Sequence, residues 1–509
     1  MACDNLHMDC ARVFAKGATG NARSGRMWFN PKGVGMKFSA RSCASVFAVV
    51  ALSSVALFSQ AQGSRTSKQI ALTEDGFPYV RGEYLVKVRS SDALERLLDN
   101  QYESVGAVSR KEPVLNAKSG TWYKINVSDD YKLREAILSA RESAEVIYAE
   151  PNYIYHTTSL NEKNIPAPGR NGKGGPDYKE IPALPNPPVV DPQLSSLYGL
   201  SKIGAQQAWQ VTSGSSKVLV ADIDTGVDYN HQDLINNMWR NPAEVAGDGI
   251  DNDANGFVDD VVGWDFRDKD ARPFDDNSHG THTTGTIAAT GGNGIGISGV
   301  AQQASIMALR FLGGSQGSGT LEDAIKAIEY ATDNGAQIMS NSWGGGGYSQ
   351  AMFDAISRAN DKGILFVAAA GNSGTDNDSK PTYPASYQLP NVLTVAATDS
   401  ADKLASFSCY GAKAVHLAAP GVKIFSTTPG DKYASLSGTS MATPHVTGAA
   451  VLLKAAYPKM KAKELKAVLM DSVEQLPSLA GKVSTGGRLN ISKAFAISRT
   501  MYGEPESGN

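Results

Sequence analysis

At 509 residues and 41% hydrophobic content, the chain exceeds one ordinary domain and can bury a large core. A net charge of -3 gives no reason to expect nucleic acid or an anionic membrane as a partner. Of the four cysteines, Cys3, Cys10 and Cys43 precede the folded region, so Cys409 stands alone, which excludes a disulfide framework and a cysteine-built metal cluster.

Residues 1–61 read as an N-terminal extension and signal peptide. Met36-Lys37-Phe38-Ser39-Ala40-Arg41 supplies a basic start, an apolar run follows from Cys43 to Phe58, and Ser59-Gln60-Ala61 puts small residues where a signal peptidase inspects. The run is too short for a comfortable membrane span, so the expectation is a secreted product, extracellular or periplasmic, with no stable span. A signal peptide normally starts near its basic region, which places the true start at Met36 or Met27.

Residues 80–156 form a unit of their own. Tyr84 to Arg89 alternates like a strand, Ala93 to Leu98 is helical in pattern, and a further strand is allowed between Val105 and Val114. Gly120 to Val127 is strand-like, Leu133 to Arg141 helical, and Glu145 to Ala149 a strand again. That is a β-α-β-β-α-β order, a small ferredoxin-like α+β layer. Residues 157–192, rich in Pro, Gly, Asn and Lys, read as an exposed linker.

In residues 193–500 strand and helix alternate. Buried-strand candidates are Val218–Ile223, Ser305–Leu309, Gln337–Ser340, Ile364–Ala369, Val392–Ala396 and Ala414–Leu417. Helix patterns fall at Leu321–Thr332, Gln350–Asp361, Thr443–Ala456 and Ala462–Ser472. Continuous apolar strands separated by helices predict an α/β fold, a doubly wound parallel sheet covered on both faces. Working residues gather beyond the carboxyl ends of such strands.

Three short segments supply matching chemistry. Asp224 ends the first strand, Ser278-His279-Gly280-Thr281-His282 precedes a small-residue helix at Thr283–Ala289 so that His279 sits at an element terminus, and Ser440 sits in Ser437-Gly438-Thr439-Ser440-Met441-Ala442-Thr443-Pro444-His445 before an apolar helix. Pro444 suits a first helical turn. A serine needs a base, and the base needs an acid to orient it. The chain order Asp, His, Ser differs from that of α/β-hydrolases and of chymotrypsin-like enzymes. Asn372, at the end of the buried strand Ala368-Ala369-Ala370-Gly371-Asn372, offers a side-chain N–H₂ for a developing oxyanion. His282 and His445 read as structural, and no third ligand makes His279 and His282 a zinc site. The glycines Gly294, Gly296 and Gly299 follow a helix pattern and lack the later acid of a dinucleotide site.

These segments, together with Ser342-Trp343-Gly344-Gly345, resemble the subtilisin family of serine endopeptidases. The resemblance implies Asp224, His279 and Ser440 as the triad and Asn372 as the oxyanion donor. It also implies that residues 80–156 are a propeptide, chaperone and intramolecular inhibitor, of a likewise self-processed zymogen cut somewhere after Asn152. By the same resemblance Ser342, Trp343 and Gly344 form one wall of the pocket for the residue before the scissile bond. Ala369, Ala370 and Gly371 form the other wall, with Thr382 near the base. No acidic residue appears there, so broad cleavage of proteins and peptides after apolar or uncharged residues is expected, by a monomer. Trp343 to Gly347 and the Gly313 to Gly319 loop are edges that an extended substrate can join as an added strand.

A calcium site is expected at Asp251-Asn252-Asp253-Ala254-Asn255-Gly256, where oxygen side chains alternate as an EF-hand loop begins. Val262 stands where that motif has its terminal Glu, so Asp259 or Asp260 is expected to substitute. Family similarity points to a second calcium site at Asp233 and the Gly292 to Ile297 loop. Asp222 departs from the apolar residue usual there. It either faces Asp224 and raises one carboxylate's pKa, or reaches solvent or a cation.

Overall fold

The computed structural model describes residues 70–92, 94, 110–117, 120–127, 146–160 and 175–506. The expected signal peptide, residues 93 and 95–98 of the first expected helix, and the expected helix at 133–141 lie outside the described residues.

Alternating residues between 70 and 157 build strands β1 (Ile70–Leu72), β2 (Pro78–Val88), β3 (Arg110–Ala117), β4 (Gly120–Asn126) and β5 (Val146–Thr157). Their spatial order is β5-β2-β4-β3, every neighbour antiparallel, with β1 paired to β2. β3 begins inside the interval allowed for a further strand, Val105 to Val114, and runs on to Ala117.

After the short helices α1 (Tyr198–Ile203) and α2 (Ala205–Ala208), the larger layer runs through β6 (Gly214–Asp224), β7 (Gly263–Asp265), α3 (His279–Ala288) and β8 (Gln303–Arg310). It continues with β9 (Ser318–Thr320), α4 (Leu321–Asp333), β10 (Ile338–Asn341), β11 (Trp343–Gly345), α5 (Gln350–Asp361), β12 (Leu365–Ala369) and β13 (Val392–Thr398). The chain closes with β14 (Leu417–Pro420), the hairpin β15 (Ile424–Thr428) and β16 (Lys432–Leu436), α6 (Thr439–Ala456), α7 (Ala462–Asp471), β17 (Glu474–Gln475), β18 (Gly487–Arg488) and α8 (Ile491–Tyr502). Among the described residues one sheet has the order β17-β18-β14-β13-β12-β10-β6-β8-β7, parallel except at the edge pair of β17 and β18. β6 is first of these strands in sequence but lies inside the sheet, with β8 on one side and β10 on the other. The strand order reverses there, so the crevice beyond the end of β6 is where an α/β sheet offers a site.

Helix α6 begins four residues before the expected Thr443, at Thr439. Pro444 therefore lies inside the helix and removes the N–H that the Ser440 carbonyl would receive. Ser342 Oγ donates to that carbonyl at 3.0 Å instead, and Thr443 Oγ1 donates to Thr439 O at 2.9 Å. Side chains thus repair the ladder and keep Ser440 in the first turn.

Where described, the expected linker lies against the larger layer. Tyr178 Oη donates to Ala271 O at 2.6 Å, Tyr229 Oη donates to Pro176 O at 2.7 Å, and the Val189 N–H donates to Gly292 O at 2.8 Å. Tyr178 also lies under the guanidinium groups of Arg240 and Arg272, 5.4 and 5.5 Å from its ring. These aromatic and backbone groups tether a stretch most of whose described residues are exposed.

Candidate active site

Asp224 is the last residue of β6 and His279 the first of α3, and both are buried. Asp224 Oδ1 accepts from the Thr225 N–H at 2.7 Å and faces His279 Nδ1 at 2.7 Å. Gly280 permits this approach: a Cβ there would lie 2.1 Å from Gly226 O and 3.2 Å from Asp224 Cβ. Burial alone pulls the imidazole pKa down, but the Asp224 carboxylate outweighs it, and the net direction is up. His279 Nε2 is buried without a partner among the described residues. His282 and His445 bond backbone carbonyls and are held neutral by burial, near 3 and 4 respectively, as the structural reading expects.

Ser440 Oγ donates to Ser342 O at 2.8 Å and lies 2.7 Å from Thr158 Oγ1; no hydrogen bond joins it to His279. Its backbone N–H, one of the free donors of a helix start, points at Thr158 O at 3.2 Å. Asn372 Oδ1 accepts from the Thr439 N–H at 2.9 Å and from Thr439 Oγ1 at 3.0 Å, which turns its amide so that Nδ2 donates to Thr158 O at 2.5 Å. The Thr158 carbonyl oxygen therefore sits between two convergent donors. Gly438 leaves the space: a Cβ there would lie 2.4 Å from that oxygen.

Thr158 is delivered by β5. Thr157 pairs with Trp343 of β11, while Ile154 and His156 pair with Thr320 and Ser318 of β9, all antiparallel. Both edges expected to receive an extended substrate hold this segment. Beyond it the Thr158 N–H donates to Ser342 O at 3.2 Å and the Leu160 N–H to Ser437 O at 2.8 Å. Gly344 and Gly371 face Thr382 from two sides, a Cβ on either lying 3.4 Å from Thr382 Cγ2, and one on Gly344 would also lie 3.6 Å from Thr158 Cγ2. Trp343 departs from the expected wall. Its ring is fully buried edge-on to Tyr155 and Phe311, centroids 5.4 and 4.9 Å away, so it supports Tyr155 and its backbone pairs with the strand. Ala370 is also buried, its carbonyl accepting from Asn377 Nδ2 at 2.9 Å.

In the acidic loop, carboxylate oxygens of Asp251, Asp253 and Glu244 come within 4.8 Å of one another. Glu244 lies outside the loop motif and is not legible from its spacing. The residues expected to complete the set are engaged elsewhere. Asp259 accepts from the Gly247 and Gly249 N–H groups, and buried Asp260 accepts from Tyr330 Oη, Asn241 Nδ2 and Asn255 Nδ2. Asn255 donates to Asp253 and Asp260, so its amide ties the loop to the protein. Asp233 accepts from Asn293 Nδ2, the Ile297 N–H and Tyr433 Oη. Asp191, missed in the sequence, accepts from three N–H groups of the same glycine loop.

Residues 215–495 match the Subtilase family. Thermitase of Thermoactinomyces vulgaris is 42% identical over 305 residues, covering 60% of this chain and 98% of that protein. A thermophilic serine proteinase of a Bacillus species is 35% identical over 393 residues, 77% of this chain and 82% of its own. Subtilisin Savinase of Lederbergia lenta is 38% identical over 281 residues, 55% and 92% respectively. With this sheet, these loops and these relatives, the chain belongs to the subtilase family and is a serine endopeptidase.

Proposed function

We propose that the chain is a secreted zymogen that cuts its own Thr158–Ser159 bond and then hydrolyses other proteins as a monomer. The observation that carries this reading is the Thr158 carbonyl oxygen held by Asn372 Nδ2 and the Ser440 N–H, on a segment paired into both edges. Ser440 Oγ attacks the Thr158 carbonyl carbon and His279 takes the hydroxyl proton, a step that needs Oγ to turn from Ser342 O toward Nε2. Asp224 holds the imidazole tautomer and stabilises the imidazolium. Charge gathering on the Thr158 oxygen meets the two donors. The bond to the Ser159 nitrogen then breaks as His279 returns the proton, and water releases the acyl group by the same steps reversed.

Residues 80–156 act as propeptide in this reading, and their strand order suits the ferredoxin-like layer. Glycine walls with Thr382 between them, and no charged group among them, support a preference for small apolar or uncharged residues before the cut. Calcium fits the oxygen donors of Asp251, Asp253 and Glu244, three carboxylates with no cationic partner among the described residues. It would stabilise the loop without taking part in the chemistry. Asp233, Asp191 and the glycine loop are a second candidate position.

The test pairs wild type with Ser440→Ala in the full chain, read by intact mass and casein hydrolysis. The wild type is expected to yield a fragment beginning at Ser159 and to degrade casein, while the variant stays uncut and inert. Equal behaviour of the two overturns the reading in favour of a silent binding protein.

A further inference from the structure

Asp222 precedes Asp224 by one alternation of β6, so both side chains leave the same face of the strand. Both are fully buried. Two ionised carboxylates in one dry volume require a cation each, or one of them stays protonated. Asp224 has His279 and the Thr225 N–H. Asp222 meets no cation directly: its Oδ2 lies 2.7 Å from Thr284 Oγ1 and 3.0 Å from Thr283 Oγ1, and its Oδ1 has no partner among the described residues.

Hydrogen-bond counting points the same way. Each threonine hydroxyl has one proton. Thr283 Oγ1 also lies 3.0 Å from Gly280 O, which can only accept. With the Thr283 proton used there, the hydroxyl oxygen is free to accept one from Asp222, while Thr284 donates to the same carboxyl.

The surrounding elements add little charge. In register beside Asp222 stand Ser340 on β10 and Ala308 on β8. Arg310 of β8 commits its guanidinium to Asp265, Asp268 and Asp276. On α3, His279 is paired with Asp224 and pulls the Asp222 carboxyl down less than burial and the Asp224 charge push it up, and His282 is neutral; α6 carries neutral His445 and, at its far end, Lys454, bonded to Pro458 O and Met460 O. Asp275, before α3, is saturated by Thr225, Asn277, Ser278 and Thr281 and pushed up to about 6 by burial. Burial first, then the Asp224 charge, pushes the Asp222 carboxyl up to about 8.

We propose that Asp222 is a protonated positioning residue for the reaction: the neutral acid ties the strand ending in Asp224 to the helix beginning with His279 through Thr283 and Thr284, and its ionisation in alkali breaks the bond it donates to Thr283 and sets a second charge beside Asp224. This rests on Asp224 and His279 serving as the acid and the base.

Asp222→Asn keeps the shape and is neutral at every pH. In kcat/KM profiles of the mature enzymes, the acid-limb midpoint is expected at the same pH in both, while the wild type's alkaline decline moves up by about one unit or vanishes in the variant. An acid limb about one unit lower in the variant would mean a charged Asp222 beside His279 and overturns the proposal, as would coincident alkaline limbs. Stability gives a second reading. The folded pKa lies above the unfolded one, so between about pH 4 and 8 the folded state binds more protons and stability falls as pH rises. The Tm advantage of Asp222→Asn should widen over that window; a constant gap counts against protonation. Should the variant not fold, infrared difference spectra of the wild type decide. A buried protonated carboxyl band must be present at neutral pH and disappear with the alkaline loss of activity. Its absence at neutral pH overturns the proposal. Self-processing retained by His279→Ala would instead sink the triad reading and leave the infrared result standing.

Discussion

Thr158 and Asn372 show how one side chain's two ends divide their labour. The amide oxygen of Asn372 is fixed by Thr439, so the amine has a single direction left, toward the Thr158 carbonyl. A donor held before charge develops costs no reorganisation when it does. Asn372→Ala is therefore expected to lower kcat on a peptide substrate by about 10²–10³-fold with a much smaller change in KM. It should slow self-cleavage in proportion. A loss below about fivefold, measured by steady-state kinetics, would mean the Ser440 N–H suffices and would remove Asn372 from the oxyanion site.

At the scale of elements, the N-terminal layer docks by completing two helix starts. Glu150 of β5 accepts from Ser349 Oγ at 2.7 Å and from the Gln350 and Ala351 N–H groups at 2.9 and 3.2 Å, at the start of α5. Asn152 Oδ1 accepts from the Glu322 N–H at 3.0 Å, at the start of α4. Lys124 pairs with Glu322 at 2.5 Å and Lys87 with Asp354 at 2.6 Å. A carboxylate at a helix N-terminus gains both free donors and the dipole, about 1–2 kcal/mol. Glu150→Ala should loosen the layer by about five- to thirtyfold, seen in full-chain preparations as an earlier rise of activity on a peptide substrate. An unchanged time course would show that the strand pairing alone holds the layer.

What the sequence makes legible follows from the range of each signal. Five of the six expected buried strands and α5 are read closely because apolar runs and helical periods are local, whereas the strand expected at Ala414–Leu417 instead spans Leu417–Pro420. The start of α6 is misread because proline preference puts Pro444 in a first turn, whereas Ser342 Oγ, far along the chain, makes it tolerable deeper in the helix. Asp224, His279, Ser440 and Asn372 are found because each lies at or near the end of an element. Glu244 and Asp191 escape notice because each meets its partners only through the fold. The position of Thr158 emerges only when two edges close on β5.

For the molecule as a whole, calcium at the acidic loop, as proposed, would add stability beyond packing. The acidic loop leaves the sheet region near Asn241 and returns through Asp260, which Tyr330 of α4 anchors. Ordering it brings three carboxylates together, a repulsion that a divalent cation reverses. A ligand bound only by the folded state adds about 2.7 kcal/mol at a hundredfold excess over its Kd, a few degrees of Tm for a domain of this size. Chelation should therefore lower the Tm of the uncut Ser440→Ala chain by several degrees, and re-added calcium should restore it. Asp251→Asn combined with Glu244→Gln should lower the starting Tm and remove most of that chelator response. If the double variant responds as fully as its parent, the calcium effect arises elsewhere, at the Asp233 loop, and the acidic loop is a solvated insert held by its own N–H groups.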